Sequence, residues 1–496
     1  MAEQAVRRAL ARLPPLDLRR AFTQRGAVAK VGDGVAHVVG LTDVGSEELV
    51  RFDSGAIGMA HELTSDQTGV VLLVDAGGIR AGDGVTSTGE LPSLTVGDEM
   101  LGRVLDPLGR PLDSREAPRG ERRSVFCEAP ELIVRAPVER PLFTGVMVVD
   151  SAIPIGRGQR QLIVGDRNVG KSALALDAVA AQRGGDVACV YVMIGQPMSR
   201  VLGVRETLEK VGALAGTVII AADAACPPGL QYLAPYAGAT AAEYFRSKGR
   251  HALVVYDDLT KHADAYRELA LLLDRPPGRE AFPGDIFYIH AHLLERATAH
   301  GDAAGGGSVT ALPIVETTDG DISAYIPTNL ISITDGQIFL DAGRFERNQR
   351  PAVDIGRSVS RVGGEAQLPA MRRAAKNLRI TMSRFEALEA LTRVGLDVDP
   401  ATQKAVERGR LLRELLRQPR FEARSVAEQI VSLTAVSEGW LDDGPIEGAP
   451  RRLKALIERA RGASGDVMDA LDAGGEVPDD WKDRLRTLLE DARGGP

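Results

Sequence analysis

One stretch constrains this chain more than any other: Gln161-Leu162-Ile163-Val164-Gly165-Asp166-Arg167-Asn168-Val169-Gly170-Lys171-Ser172. An apolar, β-branched run enters a turn with glycines at its first and sixth positions, and a Lys-Ser pair then opens an Ala- and Leu-rich run over 173–181. Strand, glycine-bearing turn and helix, in that order, are the context that a GxxxxGK[ST] match requires. Gly165 and Gly170 have no Cβ, so the backbone can turn tightly and aim its N–H groups inward at an anion. Lys171 is placed to meet the β- and γ-phosphates of a nucleotide, and Ser172 to offer its hydroxyl to the Mg²⁺ those phosphates carry. The helix that follows adds the positive end of its dipole.

The rest of the chain is read around that loop. At 496 residues it is too long for one core, and roughly three domains are expected. With 44% hydrophobic and 26% charged residues it has the composition of a soluble globular protein. No apolar run approaches ~18 residues, and Arg7, Arg8 and Arg12 are not followed by an apolar core, so neither a membrane span nor a signal peptide is expected. A net charge of -8 argues against nucleic acid, which demands a clustered cationic excess. Cys127, Cys189 and Cys226 fit neither a disulfide framework nor a metal spacing, which points to a reducing, cytoplasmic compartment.

Texture divides the chain into an N-terminal arm and three domains. Residues 1–26 form the arm, with a short helical stretch around Val6-Leu10-Leu13 stopped by Pro14-Pro15. Residues 27–93 carry short β-rich runs (27–39, 48–52, 70–75, 84–88) between glycine-bearing turns, as in a small antiparallel barrel or sandwich. Over 94–367 strands (188–194, 218–222, 252–256, 308–315) alternate with helices (201–211, 241–247, 259–273, 286–299), which predicts a mostly parallel sheet covered on both faces. Residues 368–496 turn charged and helical: Leu378, Met382, Phe385 and Leu388 recur at helical spacing, Asp399-Pro400 is an N-cap followed by proline, and Ser425…Glu428 fits a capping box.

A phosphate loop needs an acidic partner at the end of a buried strand. Residues 251–258 supply four apolar residues, Tyr256, and then Asp257 and Asp258. Asp257 is assigned to the magnesium shell, directly or through water, and Asp258 to the N-cap of the next helix. Hydrolysis further needs a group to take the proton of the attacking water, yet the strand over 188–194 ends in Gly195-Gln196. An amide orients water but does not accept its proton. This describes a site that binds nucleotide and turns it over poorly.

Residues 165–172, Ile194-Gly195-Gln196, 230–236, Tyr256-Asp257-Asp258-Leu259, 275–280, 325–340 and 358–363 together resemble the alpha subunits of F-type ATP synthases, over about 27–440 and weakly beyond. The resemblance implies a β-barrel, a RecA-like α/β nucleotide-binding domain and a helical domain. It implies a subunit that alternates with beta subunits in a hexamer around gamma, with a peripheral stalk and an ion-translocating membrane sector, on the cytoplasmic face of a bacterial plasma membrane. Mg-ATP or ADP would be held by Gly165, Asp166, Arg167, Asn168, Val169, Gly170, Lys171, Ser172 and Asp257 without turnover, Gln196 standing where catalytic subunits have Glu. Arg361 is similar to the arginine that reaches a neighbouring beta site; Arg350 would lie near the phosphates, and Phe345 and Gln418 near the adenine. Asn168, Arg420 and Pro197-Met198 depart from the family pattern at the loop, the base side and a basic pair. The segments 260–263 and 363–369 resemble the N-type branch, and the proline-broken arm leaves the delta contact open. The alternatives weighed against this are a self-sufficient hexameric ATPase of export or RNA-helicase type and a scaffold without nucleotide. The first of these needs a carboxylate at 196 or a basic, aromatic barrel face, yet Phe52 is the barrel's one aromatic residue. The scaffold gives no reason to keep Lys171, Ser172 and Asp257 together.

Overall fold

The structure is a computed structural model that describes residues 23–75, 77–393, 399–442, 444–478 and 480–493. Short β-branched runs broken by tight turns bury their faces here by closing on one another. Strands β1 (Arg25–Gly32), β2 (Val35–Val39), β3 (Leu49–Phe52), β4 (Ile57–Leu63), β5 (Thr68–Val74) and β6 (Gly84–Ser87) make an antiparallel barrel in the order β1-β2-β5-β4-β3-β6, and β6 returns to pair with β1. β4 is absent from the sequence expectation because Gly58, His61 and Glu62 blur its alternation. β5 serves two cores: Val70 and Leu72 fill the barrel, while Val71 and Leu73 face the next domain. Arg25 and Gly26, expected in the arm, belong to β1, and the helical stretch expected around Val6-Leu10-Leu13 lies outside the described residues.

A ribbon of β7 (Ser93–Val96) with β9 (Glu121–Ser124), a short β8 (Val104–Leu105), β10 (Arg135–Ala136) and helix α1 (Met147–Ala152) lead into the α/β domain. There β11 (Leu162–Asp166), α2 (Lys171–Ala181), β12 (Val187–Gln196), α3 (Met198–Lys210), β13 (Thr217–Asp223), α4 (Pro228–Ser247), β14 (His251–Asp257) and α5 (Leu259–Leu272) alternate. They are followed by α6 (Ile286–Leu294), β15 (Ala299–His300), β16 (Ser308–Thr317), α7 (Tyr325–Ile333), β17 (Gly336–Leu340), α8 (Ala342–Glu346) and β18 (Val359–Ser360). The strand order is β18-β17-β11-β16-β14-β12-β13-β8, parallel from β17 to β8. β12 shows why both faces are covered. Val190, Val192 and Ile194 pack with α4 and α5, and Cys189, Tyr191 and Met193 pack on the opposite face with α2 and α3.

The helix expected over 286–299 stops at Leu294. The backbone then turns inward, and Arg296, 1% exposed, donates to Glu243 of α4 and to the Val125 carbonyl. Ala299 instead opens β15.

The remaining helices are α9 (Pro369–Ala375), α10 (Leu378–Arg393), α11 (Pro400–Leu415), α12 (Val426–Ser437), α13 (Ala449–Ala463), α14 (Gly465–Asp472) and α15 (Trp481–Arg493). Asp399 accepts from the Thr402 N–H, and Ser425 and Glu428 form the full capping box. Their core is continuous with that beneath α2 and α3. A buried polar clasp fixes the seam: the Gln429 amide donates to Asp150 of α1, whose other oxygen accepts from the N–H and hydroxyl of Thr144.

Candidate functional site

Parallel strands deliver their following loops to one edge, and β11, β16, β14 and β12 lie side by side in that order. Their ends therefore converge: the phosphate loop after β11, Glu316 on β16, Asp257 on β14 and Gln196 on β12. Between them is a cleft of about 480 Å³, within the size of ordinary ligand sites.

The loop is built as its sequence requires. Gly170, with φ +102°, caps α2 in a left-handed conformation that side chains other than glycine rarely adopt. Gly165 is needed for a different reason, because a Cβ there would come within 2.6 Å of the Leu340 carbonyl on β17. Asn168, also left-handed at φ 65°, is among the few residue types that tolerate this. Lys171 is buried, and its ammonium donates to the carbonyls of Gly165 (2.8 Å) and Asp166 (2.6 Å), with Glu316 at 3.8 Å. Burial holds its pKa below the ordinary lysine value, against the pull of Glu316, Asp258 and Asp257. The Asp166 carboxylate turns away from the loop and accepts from the Thr317 hydroxyl and the Gly320 N–H, so it braces the segment after β16.

Asp257 is 2% exposed and accepts from the Tyr191 hydroxyl at 2.8 Å. Burial raises its pKa; the hydroxyls of Tyr191 and Ser172, and then Arg200 and Lys171, oppose that rise. Asp258 caps α5 through the Lys261 N–H at 2.8 Å, and burial, with Asp257 and Glu316 nearby, pushes it up to about 7. The Ser172 hydroxyl and the Asp257 carboxylate are hard oxygen donors of the kind a divalent cation takes. Among the described residues no group of three or more His, Cys, Asp or Glu side chains could hold a metal. A cation on Ser172 and Asp257 would draw its other ligands from phosphate and water, which suits Mg²⁺.

The expected residues divide. Arg167, Asn168, Gly170, Lys171, Ser172, Gln196 and Asp257 line the cleft. Phe345, Arg350 and Gln418 stand beside it: a Cβ on Gly170 would meet the Phe345 ring at 4.0 Å, and the Arg350 guanidinium lies 4.5 Å over that ring. The Gln418 amide is held at both ends by backbone, accepting from Met147 N and donating to the carbonyls of Gly145 and Glu422. Arg361 is exposed beyond β18, its backbone N–H on the Asp335 carbonyl. Sequence reasoning missed Arg200, Lys261 and Glu316 on the cleft wall. Glu316 was findable as the polar end of a buried strand; Arg200 and Lys261 sit in helical first turns with no local signal.

What this edge of the sheet presents is a nucleotide-binding site of the phosphate-loop class, carried between a barrel and a helical domain. Three family descriptions match in the same order: the ATP synthase alpha/beta family beta-barrel domain over 23–89, the nucleotide-binding domain of that family over 145–360, and its C-terminal domain over 367–492. ATP synthase subunit alpha of Lawsonia intracellularis (strain PHE/MN1-00) is 46% identical over 472 residues, covering 95% of this chain and 93% of that protein. The chain belongs to the ATP synthase alpha/beta family, on its alpha-subunit side, and so to the rotary F-type ATP synthases.

Proposed function

We propose that this protein holds Mg-ATP or ADP as the non-catalytic, regulatory subunit of a rotary ATP synthase, in a hexamer alternating with beta subunits around gamma. The phosphate loop and Lys171 bind the triphosphate; Ser172 and Asp257 hold the Mg²⁺, which when bound neutralises phosphate charge. Gln196 is the observation that carries the reading: it ends β12, is buried, and faces the same cleft as Lys171, Ser172 and Asp257. Its amide accepts no proton at physiological pH. Of the other carboxylates on the wall, Asp258 is committed to its helix cap and Glu316 neighbours Lys171. Arg361, away from its own cleft, is free to serve a neighbouring beta site. Among the described residues no helix is long and apolar enough to cross a membrane, which accords with a peripheral place on the cytoplasmic face, attached through partner subunits. Assignment to the N-type branch rests on the segments 260–263 and 363–369.

The purified protein alone should bind MgATP without turning it over, measured by titration calorimetry with phosphate release followed in the same sample. Lys171→Gln should weaken binding about ten- to hundredfold, the loss expected for a hydrogen bond to a charged group. Steady turnover by the lone subunit would overturn the reading in favour of a self-sufficient ATPase.

A further inference from the structure

The first cation after Gln196 is Arg200, in the first turn of α3. The residue is exposed, and its side chain reaches back over the phosphate loop, where Nη2 donates to the Ser172 hydroxyl oxygen at 2.8 Å. It also lies near enough to Asp257 to favour that carboxylate's charged form. A guanidinium thus bonds the hydroxyl, and acts by its charge on the carboxylate, that together suit a divalent cation. The same group is well matched to phosphate, since its planar fork donates two parallel hydrogen bonds to phosphate oxygens and keeps its charge at any physiological pH.

We propose that Arg200 is a phosphate-binding residue of this cleft and lets the protein hold a nucleoside triphosphate when Mg²⁺ is withdrawn. The inference rests on the reading of the cleft as a nucleotide site. Two cations do not share one hydroxyl and one carboxylate without repulsion. With Mg²⁺ on Ser172 and Asp257, Arg200 is repelled from the hydroxyl and swings outward toward solvent, a rotamer change open to an exposed side chain. Without Mg²⁺ it stays in the cleft and, with Lys171, donates to the triphosphate oxygens. Dependence on the metal is therefore shallow, and Arg200 is the cause.

The test is calorimetric titration of ATP into the full-length protein, in Mg²⁺ and in EDTA, for the wild type, Arg200→Gln and Arg200→Lys. The ratio of the Kd in EDTA to the Kd in Mg²⁺ should rise about ten- to hundredfold in Arg200→Gln, the scale of one charge-assisted hydrogen bond. Arg200→Lys, which keeps the charge and loses the fork, should fall between. Equal ratios in wild type and Arg200→Gln, with melting temperatures unchanged, would overturn the role of Arg200 and leave the nucleotide site standing. No ATP binding by the wild type in either buffer would overturn the nucleotide-site reading itself, and this inference with it.

Discussion

Two aspartates in this protein show how burial alone does not settle what a carboxylate is for. Asp257 is surrounded by donors and cations that suit an ionised group, as a metal ligand needs. Asp177, in α2, accepts from the Phe421 N–H at 2.9 Å, and burial pushes its pKa up to about 6 against that hydrogen bond and the pull of Arg420. The folded state therefore binds this proton more readily than the unfolded state, whose Asp titrates near 3.8. The stability associated with the proton is fully present below about pH 4 and is lost as pH rises through about 6, a cost of at most about 3 kcal/mol. Asp177→Asn keeps an acceptor for Phe421 and removes the charge. It should stabilise the protein by about 1–3 kcal/mol near pH 7.5 and by nothing measurable near pH 4, read from urea midpoints at the two values. An equal gain at both would mean that the charge of Asp177 is not the source.

At the scale of elements, packing decides what propensity leaves open. Gly409 lies inside α11, where glycine costs about 1 kcal/mol relative to alanine. A Cβ there would come within 2.2 Å of the Phe385 ring on α10, so the glycine marks a close helix crossing. Gly409→Ala should therefore lower stability by about 1–3 kcal/mol, the reverse of the helix-propensity effect, in equilibrium urea unfolding. A gain would show that the crossing opens freely. The same division governs what was legible in the sequence. β12 and β14, apolar on both faces, and the capped helices α11 and α12 are written in local pattern. β4 is not, since its residues become a strand only through partners across the barrel. The end of α6 is set by Glu243, more than fifty residues away in sequence. In the site, Lys171, Ser172, Asp257 and Gln196 each close a recognisable strand or turn, whereas Arg200 and Lys261 reach the cleft only because of how α3 and α5 leave the sheet.

At the scale of the whole molecule, the sheet carries its cleft at one edge of its strands and Arg361 beyond the antiparallel strand that ends it, β18. Among the described residues the guanidinium of Arg361 has one long contact, 3.5 Å to the Ile331 carbonyl. A residue so placed contributes little to its own fold and does not line its own cleft, which suits the role proposed for it toward another subunit. Arg361→Ala should then leave ATP binding and the melting temperature of the isolated protein unchanged. In the complex reassembled with beta and gamma it should lower ATP turnover by about 10³-fold or more, the scale on which an arginine supplied in trans stabilises phosphoryl-transfer charge. Arg361→Lys should recover only part of the loss, because an ammonium supplies the charge without the planar fork. If turnover of the reassembled complex stayed within about threefold of wild type, a change smaller than one hydrogen bond accounts for, the arginine would have no part in the neighbouring site. The alpha-type subunit would then act on its partners through nucleotide occupancy alone.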